Sequence, residues 1–375
     1  MTDSLLDALV DICGPGFARQ ARSVDQVVGQ RAGFVAVPAT GPAAAAALRL
    51  AAEGGLSVRA RGSGSKISWG TPPAGLDIIV DTGRLNGMWH HQGASATVAA
   101  GTPVNAVQAA LALQGKRLAV DPPSPGATVG GMLAVNEAGP LAHRFGSPAA
   151  QTERVTYAAA AGTELETDGE DGRPGIAEID GVITSAVLRV HPLPSARRWV
   201  GRSVRTPAGV AELVEQAVAQ SLEPSAIEVD LPGAAEGTVA VLLEGDADAV
   251  DARSAKLAQV WGPETVQVEQ GPPWWGRYPF RSGDIAVRIS VQPEGLQAVT
   301  YALRDLCGAP VPLRGSAGLG TVHAVLPAGL PARRVTDIVD GVEQVLLARG
   351  GRVVVVSAPP ALAAEIEMAE PRDLF

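Results

Sequence analysis

Residues 61–70, RGSGSKISWG, directly follow the strand-like run LSVRA and bring three glycines, three serines, an arginine and a lysine together. Gly62 and Gly64, with Ser63 and Ser65 beside them, let several backbone N–H groups turn toward one point. Such a concavity suits an anion, and a phosphate is its natural guest. A plain surface turn explains a lone Gly-x-Gly about as well. A Walker loop needs four residues between its first and second glycine, and the dinucleotide fingerprint needs a further glycine opening a helix. Neither spacing is present, which disfavours nucleoside-triphosphate and nicotinamide chemistry.

The second segment with chemical content is 121–147, DPPSPGATVGGMLAVNEAGPLAHRFGS. Gly126, Gly130 and Gly131 remove side chains where a flat or extended ligand would lie against the backbone, and Thr128 and Asn136 offer polar anchors. A structural omega loop is the bland account of the same residues. Elsewhere, His90 and His91 precede Gln92-Gly93 and read as exposed turn residues rather than a metal pair. His143 beside Arg144 is as readily a packed or solvated side chain as a ligand contact. Trp274 and Trp275, with Arg277 and Tyr278, follow Pro272-Pro273; core packing ranks first for them, a partner contact next and substrate contact last. Arg288 and Arg314 stand on expected strands and are of the type that clamps a carboxylate, although for each taken alone a salt bridge is commoner. No Ser-His-Asp order, His-Glu-x-x-His or carboxylate cluster stands out.

The elements that must position these residues follow from the chain's pattern. At 375 residues two or three domains are expected. Hydrophobic residues make up 46% and charged ones 18%, which fits a packed globule. With six Trp, three Tyr and five Phe among many alanines and valines, the core must be built from small side chains in close contact. An amphipathic helix opens the chain, with Asp3, Asp7 and Asp11 inside its apolar stretch, and stops at Gly14-Pro15-Gly16; it lacks the basic leader of a signal peptide. Strand 33–38, an alanine-rich helix from Thr40-Gly41-Pro42 to Gly54 and strand 56–61 form a strand–helix–strand unit. Strands 77–82 and 96–101 follow, then a helix with Thr102 as N-cap and Pro103 in its first turn. The segment 121–146 shows neither helical nor strand period and is expected to be an ordered loop. Two strands then lead to Pro192-Leu193-Pro194, the expected domain boundary. Beyond it the order strand, helix (210–222), strand, strand, helix (247–260) is echoed after residue 284, with helices 294–306 and 332–348, as if the second domain were built from two related halves.

The formal charge is −9 and no run of Lys or Arg exceeds a pair, which argues against nucleic acid as a partner. Cys13 and Cys307 lie far apart, so neither a disulfide scaffold nor a thiolate metal or iron–sulfur site is expected, and a reducing, cytoplasmic setting fits. No apolar run approaches the ~18 residues of a bilayer span.

The order of the motifs is more specific than any one of them. Arg-Gly-x-Gly-x after a strand, Val-Asp-x-x-x-Leu-Asn at 80–86, Ala-Gly-Thr at 100–102, then Asp-Pro-Pro, Gly-Ala-Thr-x-Gly-Gly, Asn, Gly-Pro and Arg-Phe-Gly between 121 and 146 occur in sequence. That order resembles the flavin-binding domain shared by the vanillyl-alcohol oxidase and p-cresol methylhydroxylase (PCMH) superfamily. Within it, DPPSPGATVGGMLAVNEAGP and GVITSAVLRVHPLP are most similar to the FAD-binding subunits of bacterial glycolate oxidases, over about residues 29–194.

The resemblance implies an α+β fold: a PCMH-type FAD-binding domain of two α+β subdomains at 29–194, after an N-terminal helical lead at 1–28 and before an α+β cap at 195–375. It implies FAD held extended between the subdomains. Arg61, Gly62, Ser63, Gly64, Ser65 and Lys66 would belong to the loop at the pyrophosphate. Pro122, Gly126, Ala127, Thr128, Gly130, Gly131, Asn136 and Gly139 would line the flavin and ribityl chain, and Gly181, Val182 and Ile183 the adenine side; His143 would be near enough to approach the flavin. Where relatives with covalent flavin often carry a histidine, this chain has Ser65, so noncovalent FAD is expected. Relatives also carry a Lys-Asn-x-x-Gly-Tyr-Asp stretch near the flavin. Here 163–180, TELETDGEDGRPGIAEID, is short, acidic and without it, so either this loop lies away from the ring or the flavin site is weakened. The activity implied is that of an FAD-dependent oxidoreductase subunit carrying electrons from a small 2-hydroxy acid. The partners implied are a larger catalytic flavoprotein subunit and an iron–sulfur subunit. The alternative is a non-catalytic assembly subunit that keeps the fold with a weakened flavin site; a nucleotide-sugar reductase of the same fold is disfavoured, because no extra substrate-domain signature is visible.

Overall fold

The computed structural model describes residues 2–167, 176, 179–370 and 373–374. Of the acidic stretch 163–180, residues 168–175, 177 and 178 lie outside the described residues, as do the side chains of His90 and His91. The backbone of those two histidines belongs to strand Met88–Gln92 rather than to a turn.

Three large sheets carry the described residues, beside a two-stranded ribbon of Gln26–Val27 and Gln30–Arg31. The first has the order Ala18–Gln20, Phe34–Ala36, Ile78–Asp81, Val58–Arg61, with the last three mutually parallel and the first antiparallel at the edge. Residues before position 29 thus supply a strand to this sheet as well as the helix Thr2–Cys13. Parallel strands of one sheet need crossovers, and helix Gly41–Glu53 provides the one from Phe34–Ala36 to Val58–Arg61, between which Ile78–Asp81 is inserted. The helix start is capped by Thr40, whose hydroxyl accepts the Ala43 N–H at 3.2 Å. Ala44, Ala45, Ala47 and Ala51 are buried with Leu48, so the helix lies close to the sheet, as small side chains allow.

The second sheet is built on the long strand Gly181–Pro192, flanked by Thr152–Ala159 and Ser95–Ala99, with Lys116–Leu118 pairing its far end. Helix Val104–Ala112 covers it through Val104, Val107 and Leu111. Thr102 does not cap this helix. Its hydroxyl accepts the Gly87 N–H at 2.9 Å and donates to the Gly87 carbonyl at 3.1 Å, so the cap position falls to Pro103. The expected loop 121–146 contains two short helices, Val129–Ala134 and Ala142–Phe145; Gly130 and Gly131 conceal the first of them from any propensity argument.

The third sheet has eight antiparallel strands, in the order Val266–Val268, Ala196–Val204, Gly237–Gly245, Ala226–Pro232, Pro312–Ser316, Thr321–Val325, Ala286–Ser290, Arg352–Ser357. Its two halves mirror each other about the central pair, and each repeats strand, helix, strand, strand, helix, strand. Helices Pro207–Ala219, Ala247–Trp261, Leu296–Cys307 and Ala332–Leu347 share one apolar core with residues such as Val229, Leu243, Val287 and Ile289. The alternate strand positions, Glu228, Asp230, Arg288, Arg314 and His323, therefore face away from that core. They meet the side of the molecule that carries Trp69 and the loop before it. Trp69 stacks there on Tyr278 and Phe280 with ring centroids 4.9 and 5.1 Å apart, and a buried two-pronged ion pair joins Arg117 to Glu244 at 2.7 and 2.9 Å.

Candidate functional site

A cleft of about 560 Å³ runs between the first and second sheets. One wall is strand Val58–Arg61 and the loop 62–66 that follows it, together with Leu48, Ala51 and Ala52 of the crossover helix; the other is Gly131, Ala134, Gly181 and Val182. A smaller cavity of about 120 Å³ shares Gly62, Gly131, Gly181 and Val182 and reaches Gly130 and Ile183. Candidate residues from three separate parts of the sequence are thus brought together on one cleft, whose volume is in the range of ligand sites.

The loop keeps its donors available. The backbone N–H groups of Gly62, Ser63, Gly64 and Ser65 donate to no acceptor among the described residues. Gly64 has φ +76°, and the nearest atom to a side chain placed there would be 3.8 Å away, so its backbone is open to a ligand. The two cations are differently placed. Arg61 bonds Asp81 at 2.9 Å and Asp25 at 2.9 Å. Asp25 is almost fully buried, and its hydrogen bond from Arg19, with those from the Arg22 N–H and Arg61, holds its carboxyl well below the usual range. Lys66 contacts Glu137 and donates to the Ser124 hydroxyl at 2.8 Å. Burial pushes the Lys66 ammonium down from the ordinary lysine value and Glu137 opposes that shift.

Motif order does not single out Glu137, yet this residue is a hub. It is wholly buried, accepts the Ser124 N–H at 3.0 Å and the Tyr278 hydroxyl at 2.8 Å, and pairs with Lys66. It is the sole carboxylate in the otherwise uncharged run 122–142, the one signal that marks it.

The glycines of 121–146 serve a different need. A side chain on Gly139 would come within 1.9 Å of the Asp121 carbonyl, and one on Gly130 within 2.7 Å of Ala100. Gly181 stands likewise against the Ala158 carbonyl at 2.0 Å, and Gly62 against the Thr128 hydroxyl at 2.2 Å. Thr128 caps its short helix by accepting the Gly131 N–H at 3.3 Å. Gly126 has φ +69°, with no atom within 4 Å of where its side-chain carbon would stand. Pro122, Gly126, Ala127 and Thr128 are not on the wall of either cavity. Asn136 holds φ +52° and accepts the Ala149 N–H at 2.9 Å.

Asn136 and Gly139 line a separate pocket of about 250 Å³ against the cap sheet, with Tyr278, Glu228, Arg288, Arg314, Ser316 and His323. Cross-strand pairing places Asp230, Arg314, His323 and Arg288 in one row. Arg314 bonds Asp230 at 2.8 Å. His143 lies elsewhere, on a cavity between helices Pro207–Ala219 and Leu296–Cys307. Trp275 packs edge-on against Trp199, with centroids 6.0 Å apart, in a small cluster with Leu141 and Leu242. Among the described residues no group of three or more His, Cys, Asp or Glu is placed to hold a metal ion.

An elongated ligand with an anionic centre fits the cleft: the donors at its loop are unmatched, the backbone at Gly64 is open, and both sheets contribute wall. Residues 32–168 match a family model described as an FAD binding domain. No curated protein matches the chain. Among solved structures, the chain is similar to alkyldihydroxyacetonephosphate synthase in two crystal forms. The P212121 form aligns with TM-score 0.74 and 15% identity over 93% of this chain and 80% of that one. The P1 form gives TM-score 0.69 and 14% identity over 93% and 81%. The chain is therefore an α+β protein with the fold of these structures, its residues 32–168 matching the model of an FAD binding domain and an α+β cap following them.

Proposed function

We propose that the chain binds FAD without a covalent link in the cleft between the first two sheets and serves as the FAD-binding subunit of an oxidoreductase of the glycolate-oxidase type. Residues 29–194 would be the cofactor unit and 195–375 the cap. The observation that carries this reading is the loop 62–65, with four unmatched N–H groups and an open Gly64 on the wall of a 560 Å³ cleft. Gly62 to Ser65 would hold the diphosphate through backbone N–H groups, with Gly131, Gly181 and Val182 as the opposite wall. FAD supplies the redox chemistry when bound, and the protein supplies position and electrostatics.

In this reading electrons come from a small 2-hydroxy acid, and the partners are a larger catalytic flavoprotein subunit and an iron–sulfur subunit. Cys13 and Cys307 are both free thiols, so the chain brings no cluster of its own and suits a reducing, cytoplasmic setting. Among the described residues no helix is long and apolar enough to cross a membrane. A second reading, a non-catalytic assembly subunit with a weakened flavin site, draws on the carboxylates that already occupy Arg61 and Lys66.

The absorption spectrum of the purified chain decides between them: flavin bands support the first reading and a colourless protein the second. Acid precipitation should release all flavin to the supernatant, and yellow colour in the washed pellet would contradict the noncovalent link. The isolated chain should oxidise neither glycolate nor lactate with a dye acceptor until its companion subunits are added.

A further inference from the structure

We propose that the 250 Å³ pocket between the cap sheet and residues 136–140 binds a small monocarboxylic acid, with Arg288 as the anchor of its carboxylate. The proposal deepens the function above and depends on it only for the redox fate of the acid; the binding step stands on the pocket alone.

Charge balance points to Arg288. This residue lines the pocket, its Nε is buried, and its guanidinium makes no hydrogen bond or ion pair among the described residues. A part-buried guanidinium with its Nε out of water and no bonded partner is relieved by an anion. Among the described residues no neighbour bonds it, and Asp373 acts on it only through space. Across the strand on one side stands His323 and on the other Val354, and burial holds the His323 imidazole neutral, down at about 3. Asp230 is committed to Arg314, Glu137 to Lys66 and Asp373 to Arg352. Glu228, on the same pocket, is buried with Oε1 unbonded. Burial and the nearby Asp121 push it up to about 8, so at pH 7 it is mainly the neutral acid, a donor for a ligand oxygen rather than a counter-ion for Arg288.

Size and shape then narrow the guest. The volume is below the about 300 Å³ at which drug-sized sites begin, so the anion is small. A planar guanidinium matches a carboxylate in two parallel bonds, and Arg288 is the one part-buried arginine of the pocket without a bonded acid among the described residues. Arg277, at the rim, is exposed. Arg314 is of the same residue type in the same row and is already neutralised, so it is Arg288 that selects the ligand.

The test is a calorimetric titration of the full chain with glycolate, using ethylene glycol as a neutral control of similar size. Glycolate should bind saturably and ethylene glycol should not. Arg288→Met should weaken glycolate by about 10–100-fold, the range for a lost charged hydrogen bond, and Arg288→Lys should retain part of the affinity. The thermal midpoint of Arg288→Met should equal or exceed that of the parent, because an unmatched part-buried charge is removed. Flavin content is measured on the same samples and should not change; a chain without flavin that still binds glycolate counts against the FAD reading alone. Glycolate affinity unaltered in Arg288→Met, no glycolate binding by the parent, or a midpoint lowered by that substitution would each overturn the proposal, the last by showing Arg288 to be a structural residue.

Discussion

The two glycine-rich segments, 62–66 and 121–146, look alike in composition and differ in what surrounds them. At Gly64 a side-chain carbon would meet nothing nearer than 3.8 Å, and among the described residues the neighbouring N–H groups are unmatched. At Gly130 and Gly139 the missing side chain is replaced by Ala100 and Asp121 of the same chain. The first segment offers its backbone to a ligand, and the second uses glycine to let strands and loops approach each other and so builds the floor behind the cleft. They are joined by Lys66 and Glu137, one from each.

The largest effect is expected where the two segments join. Glu137→Gln removes the carboxylate that the buried Lys66 ammonium contacts and should destabilise the fold by about 3 kcal/mol at neutral pH, read as a shift of the urea midpoint. The pH dependence has a defined sign. Lys66 already titrates below its unfolded value through burial, and Glu137 is the group that raises it. In the variant the folded chain therefore holds less of this proton than the unfolded chain does, so stability rises with pH. The deficit should shrink between pH 7 and 10; a deficit that grows would contradict the assignment of charges.

Next in size is Gly139→Ala. The new carbon would meet a backbone carbonyl that cannot swing aside, and overpacking of this kind costs about 2–3 kcal/mol. The thermal midpoint should fall, while any flavin that remains bound should show an unaltered spectrum. Gly64→Asp should show the reverse profile. Its charge would repel a diphosphate, lowering FAD affinity at least about tenfold, with only a small change in midpoint since aspartate tolerates positive φ better than most residues. Equal flavin affinity in a folded Gly64→Asp protein would remove the loop from the cofactor site. The smallest effect belongs to Gly126→Ala, where φ is +69° but space is free. It should lose about 1 kcal/mol from backbone strain and leave FAD binding untouched; a large loss of flavin there would mean that the second segment also meets the cofactor closely.

Much of the architecture is legible in local signals. Thr40 with Pro42 announces the first crossover helix, and the alternation of apolar residues marks the cap strands and their repeat. The same Thr-Pro signal misleads at Thr102, because the hydroxyl finds a tertiary partner in Gly87. At Thr206 the signal is real: the hydroxyl caps helix Pro207–Ala219, which begins three residues before the periodicity alone suggests. The cleft residues of 61–66 and 181–183 are likewise readable from motif order, whereas Glu137 is not. A single carboxylate among glycines and alanines has no period, and only the convergence of Lys66, Ser124 and Tyr278 makes it a hub.

The order of elements, the small-residue core and the presence of a loop able to receive an anion were all written in the linear chain, because they depend on local propensity and short-range spacing. Which residues of one type are spent and which remain available is a matter of three-dimensional packing. Arg288 and Arg314 both occupy cap strands and line the same pocket, yet Arg314 faces Asp230 at 2.8 Å and Arg288 faces His323 and Val354. Strand register sets that difference, since pairing places an acid beside one arginine and none beside the other. The same holds for the glycines, whose roles depend on the atoms packed where their side chains would have been.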